Sequence, residues 1–243
     1  MESKVTEGSF KGQCWLEWLA LGFGLPALIA GFSKLVMLWV PTAQTGTLGH
    51  RYIWSLAGPV TAEWVFVAVA FFIVRLRGES PHEIGLWRMS NWAGWITALT
   101  FAAITIASNL RFFPRMGIPV QYAFTPTGFH LAASLLTGIT AGFCEELLFR
   151  GLLMTHFAKA GYGKTAQVIV PGLSFGFSHL GYAIHGFVAA VGIMAPTAVL
   201  GMLWGISYLL GRRALLPCMV AHFLNDATAL SWVGFFMFKG SLG

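Results

Sequence analysis

Charge is what this chain has least of. Only 10% of its 243 residues are charged, against 56% that are hydrophobic, and the mean hydropathy is +0.71. A soluble globule needs a polar surface that this composition does not supply, so the chain reads as a polytopic membrane protein. Negative charge is the scarcest, with nine Asp and Glu against 15 Lys and Arg and a formal net charge of +6. In a soluble protein that balance would suggest nucleic acid. Here the bases fall mostly in short loops between apolar runs, which is the pattern of membrane topology, and no nucleic-acid partner is expected. Cysteine is nearly missing as well: Cys14, Cys144 and Cys218 are odd in number and widely spaced, with no C-x-x-C. They indicate neither a disulfide framework nor a zinc ribbon and read as small buried apolar residues. Internal repeats, low-complexity tracts and interdomain linkers are also lacking, so residues 1–243 form one integral-membrane domain.

What is there is a succession of apolar runs. The first, at about 15–40, is too long for the core of a signal peptide, which spans about 7 to 15 residues, and reads as a retained span. Further runs at about 53–74, 92–110, 128–157, 165–180, 187–210 and 214–238 predict an all-α transmembrane bundle of about seven or eight spans. The fifth is short and interrupted by Pro171-Gly172. Between the second and third lies the most polar loop, residues 75–91, where Ser80-Pro81 signals a short surface helix and Trp87 and Trp92 read as interfacial anchors. An N terminus on the cytoplasmic side of the cell membrane places nine bases inside (Lys4, Lys11, Arg75, Arg77, Arg88, Lys159, Lys164, Arg212, Arg213) and four outside (Arg51, Arg111, Arg115, Lys239). The positive-inside rule therefore predicts that orientation.

The few acids concentrate the question of function. Six of the nine lie within the first 83 residues, and the other three, Glu145, Glu146 and Asp226, all sit inside apolar segments. A charged Asp or Arg at the centre of a span costs roughly 2.5 to 3.5 kcal/mol. Glu145, Glu146, Arg150 and Asp226 together threaten on the order of 10 kcal/mol, comparable to the whole stability of a domain. Such groups must be paired, solvated or neutralised. Glu146 and Arg150, four apart on a helix, can pair in the favourable order. Glu145 lacks that partner, and its face carries Gly138, Ala141 and Gly142, which leave room for another helix backbone or a substrate.

Two further segments bring histidine into the membrane. Phe175 and His179 are one turn apart, as are His222 and Asp226 with Asn225 beside them, and rough depths at 1.5 Å per residue put Glu145, His179 and His222 within about two helical turns of one another. Ionisable groups on three helices at similar depth read as one functional site. Glu63, near the start of its span, reads as an interfacial acid, as do His130 and His156 near span ends and His50, His82 and His185 in loops.

These three segments resemble a known family, the CAAX prenyl protease type II and bacteriocin-processing (CPBP or Abi) intramembrane glutamic proteases. The family signature is E-E-x-x-x-R, then F-x-x-x-H, then H-x-x-x-N or D, each on its own helix. Here it is matched by Glu145-Glu146-x-x-x-Arg150, Phe175-x-x-x-His179 and His222-x-x-x-Asp226, within a motif-bearing core at 128–238. The resemblance implies an endopeptidase acting on a membrane-presented protein or peptide. It further implies Glu145 as general base, His179 as its partner on the attacking water, and His222 with Asp226 at the substrate carbonyl. Many relatives have Asn in place of Asp226. An ionised carboxylate cannot donate a hydrogen bond to an oxyanion, so His222 or Asn225 is the alternative donor. No cofactor is expected. Zinc held by Glu145, His179 and His222 is the alternative within the enzyme class, although H-E-x-x-H is absent. From a different class, a proton-coupled transporter would also place Glu, His and Asp inside a bundle, but the missing inverted repeat counts against it.

Overall fold

The computed structural model describes residues 7–125 and 128–240; Glu2 and Lys4, counted above among the N-terminal charges, lie outside the described residues, as does the side chain of His185. Every regular element among the described residues is helical. Helix α1 (Glu7–Leu19) runs through a π-helical turn (Ala20–Gly24) into α2 (Leu25–Trp39), and the single turn α3 (Thr42–Thr45) leads to α4 (Leu48–Leu76) and α5 (Trp92–Phe112). The next rod begins as α6 (Gly128–Thr140), widens into a π-helical stretch (Ala141–Leu153) and ends as α7 (Met154–Lys159). Then come α8 (Lys164–Phe177), α9 (Phe187–Leu210) and α10 (Leu216–Asn225), which passes through a π turn (Asp226–Leu230) into α11 (Ser231–Gly240).

Helix starts follow their local chemistry. Thr47 caps α4 by accepting from the His50 amide, Asn91 caps α5 by accepting from the Gly94 amide at 3.0 Å, and Pro217 opens α10 where its missing N–H costs nothing. Among the described residues five rods are long and apolar enough to cross a membrane: Lys11–Trp39, Leu48–Leu76, Trp92–Met116, Gly128–Lys159 and Ala190–Leu210. The two other expected spans are helical too. At 14 residues, α8 is shorter than the roughly 20 a full crossing takes, and it is wedged against α9. A Cβ at Gly172 would lie 2.5 Å from Met202 Cγ, and one at Gly176 would lie 2.7 Å from the Met194 carbonyl. Small residues thus let the two backbones close up, which is how helices gain packing energy in lipid.

The loop at 75–91 departs from expectation. Ser80 and Glu83 exchange capping contacts, yet only turns follow. Gly85 at φ +93° and Trp87 at φ +63° take the chain out of the helical region before a second turn can form. Gly85 earns its place by close approach: its carbonyl accepts from Leu215 N, and a Cβ there would meet the Arg213 carbonyl at 2.5 Å.

The core is a spine of buried residues on the α6–α7 rod. Cys144, Leu147, Leu148, Phe149, Leu152 and Leu153 pack with Val67, Ala70 and Val74 of α4, with Trp204 and Tyr208 of α9, and with Cys218 of α10. All three cysteines are free and buried. The glycines expected to admit a neighbour do so: a Cβ on Gly142 would stand 2.9 Å from the Met219 carbonyl, and one on Gly138 would stand 3.0 Å from Phe223 and Ala227. The neighbour is α10 and the turn after it.

Candidate functional site

The rod carrying Glu145 and Glu146 is the spine of the molecule, so its polar side chains project into the bundle. In the π-helical stretch each backbone bond spans five residues and successive side chains turn through a smaller angle than on an α-helix. Two adjacent glutamates can therefore face one partner. That partner is His222: its Nδ1 lies 2.8 Å from Glu146 Oε1, and its Nε2 faces Glu145 Oε2 at 3.5 Å and Asp226 Oδ1 at 3.6 Å. Asp226 opens the second π turn, so the wider geometry recurs where the third motif ends. Glu146 is wholly buried, His222 is 3% exposed and Glu145 8%.

Behind His222 the charge is closed off. Arg150 Nη1 meets Glu146 Oε1 at 3.1 Å, and Nη2 donates to the Gly201 carbonyl at 3.1 Å. The guanidinium lies over Phe175 at 4.6 Å and near Trp204 at 5.5 Å from the ring centres. Desolvated cation–π contacts of this kind contribute about 2 kcal/mol. Trp204 also lies against the His222 ring, 4.3 Å between centres. The sequence expectation of a Glu146–Arg150 pair is met, but the pair is one end of a chain, Arg150–Glu146–His222, in which the buried carboxylate is ion-paired with the guanidinium and hydrogen-bonded to the imidazole.

Phe175 joins the second motif to the third. Its ring stands edge-on to His179 at 5.3 Å and to His222 at 6.0 Å. His179, just past the end of α8, places Nδ1 3.0 Å from the Phe175 carbonyl. A carbonyl only accepts, so Nδ1 carries the proton and Nε2 is the lone-pair nitrogen of the neutral ring. Asn225 is fully buried and donates to Asp226 Oδ1 at 3.2 Å, so its amide is engaged with its neighbour. Among the described residues no three His, Cys, Asp or Glu side chains stand where they could jointly hold a metal ion.

Residues 126–228 match the family model for the type II CAAX prenyl endopeptidase, Rce1-like. That segment contains all three motifs and the His222 cluster just described. The match covers the motif-bearing segment, less than half of this multi-pass membrane protein, and supports the CAAX-protease resemblance. No curated protein and no solved structure matches the chain. The Rce1-like segment starts just before α6 and ends inside the π turn after α10, so α1 to α5 lie outside it.

Three residues read as interfacial from the sequence are buried in this bundle. Glu63 is 7% exposed, because α4 turns its 63, 67, 70 and 74 face onto the motif rod. His130 is 1% exposed, stacked on Trp232 with 3.4 Å between ring centres and 3.2 Å from Ser231 Oγ. His156 is fully buried between Glu17 of α1, 2.7 Å away, and Glu79 after α4, 3.1 Å away. His50 and His82 are exposed, as expected. The missed signal for Glu63 and His156 lay in helix faces: Glu63 heads a small-and-branched stripe, and His156 lies one turn past Leu152 on the buried spine.

The His156 cluster extends outward through Lys159, which bonds Glu79 at 3.1 Å and Glu83 at 2.8 Å. Burial pushes the Glu79 carboxyl up, but hydrogen bonds from His156 and Lys159 outweigh it and hold the group below its ordinary value of 4.5. The Lys159 bond does the same for Glu83. A carboxyl whose folded value is depressed contributes stability above its unfolded value, and loses it as pH falls through the folded one. The melting temperature is thus expected to decline below about pH 4.5, and the decline to be shallower in Glu79→Gln. Identical acid profiles for the two proteins would remove Glu79 from the account.

Proposed function

We propose that the protein is an intramembrane endopeptidase that hydrolyses a peptide bond in a membrane-presented protein or peptide, using water activated by Glu145 and His179. The observation that carries this reading is the convergence of the three motifs on one buried cluster, with Glu145 and Asp226 both facing His222 Nε2. Of the two motif glutamates Glu145 is the one not held by an arginine, so it is the one assigned to take a proton from water. As the water oxygen bonds to the carbonyl carbon, that proton passes to Glu145. His179, whose Nε2 carries a lone pair, orients the water. The oxyanion forms near His222 and Asp226, the C–N bond breaks, and Glu145 returns the proton to the leaving amine. Glu146 keeps His222 in place and supplies the negative charge that balances it.

The site uses no metal in this reading. Purified protein with far less than one metal ion per chain is expected to cleave normally. One tightly bound zinc, whose removal abolishes cleavage and whose return restores it, would establish the metalloprotease instead. Substrates are expected to be prenylated C-terminal peptides or related membrane-presented tails, in keeping with the family name, and the chain to sit in the cell membrane with its N terminus inside. The deciding experiment pairs substrate processing with detergent-stable yield for Glu145→Gln, His179→Ala and His222→Ala. Proteins that fold but do not cleave support the assignment, whereas normal cleavage by folded Glu145→Gln transfers the cluster to a proton-coupled transporter.

A further inference from the structure

Helix α9 lies within the matched segment but carries none of the three motifs, and yet one of its side chains lies against two of the motif residues. Close packing brings it there. A Cβ on Gly201 would stand 2.9 Å from Phe175 Cδ1 and 3.2 Å from Gly172 Cα, so α9 reaches the cluster because both positions are glycine. One turn on, Trp204 is wholly buried and sets its ring against the His222 imidazole, 4.3 Å between centres and 34° between planes. The Arg150 guanidinium lies 5.5 Å from the centre of the same ring. The two bases that flank Glu146 therefore share one indole. The backbone around Trp204 is tied down as well. Cys218, one turn before His222 on α10, donates its S–H to the Trp204 carbonyl at 3.5 Å, and the Gly201 carbonyl accepts from Arg150 at 3.1 Å. The register of α9 against both α10 and the motif rod is thus set beside the indole.

His222 needs such a neighbour for two reasons. The bond between its Nδ1 and Glu146, 2.8 Å long, fixes one point of the ring and leaves the ring free to rock about that contact. The Trp204 face on one side and the Phe175 edge, 6.0 Å away at 88°, close off that motion, so Nε2 stays between Glu145 and Asp226. The second reason is charge. A ring that gives one proton to Glu146 and another to a substrate oxyanion holds protons on both nitrogens and is a cation. A cation is attracted to an aromatic face, and indole offers the strongest one. Trp204 also carries a cost that phenylalanine would not, because its Nε1 is buried with no hydrogen-bond partner among the described residues. The residue therefore serves through its face rather than through its N–H.

We propose that Trp204 is a positioning residue for His222, which sets the plane of the imidazole and attracts the positive charge that the ring carries when Nε2 donates to the oxyanion. The catalytic meaning rests on the endopeptidase reading above; the placement of one ring on the other does not.

Two measurements on the full chain in lipid test it. The first replaces Trp204 alone by mono-, di- and trifluorotryptophan, which keep the shape of the ring and drain its face of negative charge stepwise. With a fluorogenic farnesylated CAAX peptide, kcat is expected to fall with each added fluorine, to about a tenth of the wild-type value for the trifluoro ring, at unchanged KM and melting temperature. A purely structural tryptophan would not respond to fluorine, so equal kcat across the series would overturn the role in charge. Trp204→Phe, which keeps a weaker face, should retain more kcat than Trp204→Leu. The second measurement follows the His222 ring protons by NMR in protein with labelled histidine, identified by their loss in His222→Ala. The indole ring current should shift them upfield in wild type and in the fluorinated proteins, and the shift should vanish in Trp204→Leu. Resonances that do not respond to Trp204→Leu would overturn the placement. If wild type does not cleave the peptide, the endopeptidase reading is at fault and the ring shift still decides the placement. Should Trp204→Leu not fold, Trp204→Phe takes its place: its smaller ring current must reduce the shift, and an unreduced shift defeats the proposal.

Discussion

Glu145→Gln is expected to lower cleavage at least about 10²-fold, the lower end for loss of a general base, while leaving the protein folded. The substitution keeps size and polarity and removes only the capacity to accept a proton. His222 stays in place, because its firm bond is to Glu146 at 2.8 Å and its contact with Glu145 is the looser one at 3.5 Å. Removing a desolvated charge that has no arginine partner should cost little stability and can even raise it. Uncleaved substrate is then expected to accumulate in cells carrying the variant. The check is a single-turnover assay beside a thermal melt of the same preparation. Wild-type turnover from well-folded Glu145→Gln would end the glutamate mechanism.

His179→Ala and His222→Ala should separate from each other in the melt. His179 sits at the open end of α8 and bonds its own preceding turn, so its loss removes chemistry with little packing. His222 is packed against Trp204 and holds Glu146, so its loss is expected to lower the melting temperature as well as the rate.

Much of this was legible before any coordinates. An all-helical membrane bundle follows from composition, and the pairing of Glu146 with Arg150 follows from four-residue spacing. The small face around Glu145 announced a close helix, and α10 is that helix. Other features depend on what a local reading does not carry. The i+4 rule assumes an α-helix, and in the π-helical stretch both glutamates reach His222, so Glu146 serves the histidine as well as the arginine. Position within a span was a poor guide to burial for Glu63 and His156, because both lie on the faces that pack against other rods. The surface helix expected at 75–91 was stopped by backbone geometry at Gly85 and Trp87 that serves a contact with Arg213 and Leu215, more than a hundred residues away.

Arg150→Ala should be the most damaging single change to stability. Removing one partner of a buried ion pair leaves the other as an uncompensated charge and costs about 3 to 5 kcal/mol. Here Glu146, wholly buried, would keep only His222. The same change removes the bond to the Gly201 carbonyl and the contacts with the faces of Phe175 and Trp204, so three helices lose a common filler. Against a domain stability of about 5 to 15 kcal/mol, that loss should appear as low membrane yield and a lowered melting temperature in detergent. A compensating variant separates charge from chemistry. Arg150→Met with Glu146→Gln refills much of the volume and removes the stranded charge, so its melting temperature should recover most of the way toward wild type. Its cleavage should not, because the carboxylate that holds and balances His222 is gone. An Arg150→Ala protein as stable as wild type would show that Glu146 does not depend on the arginine, and the chain Arg150–Glu146–His222 would lose its anchor.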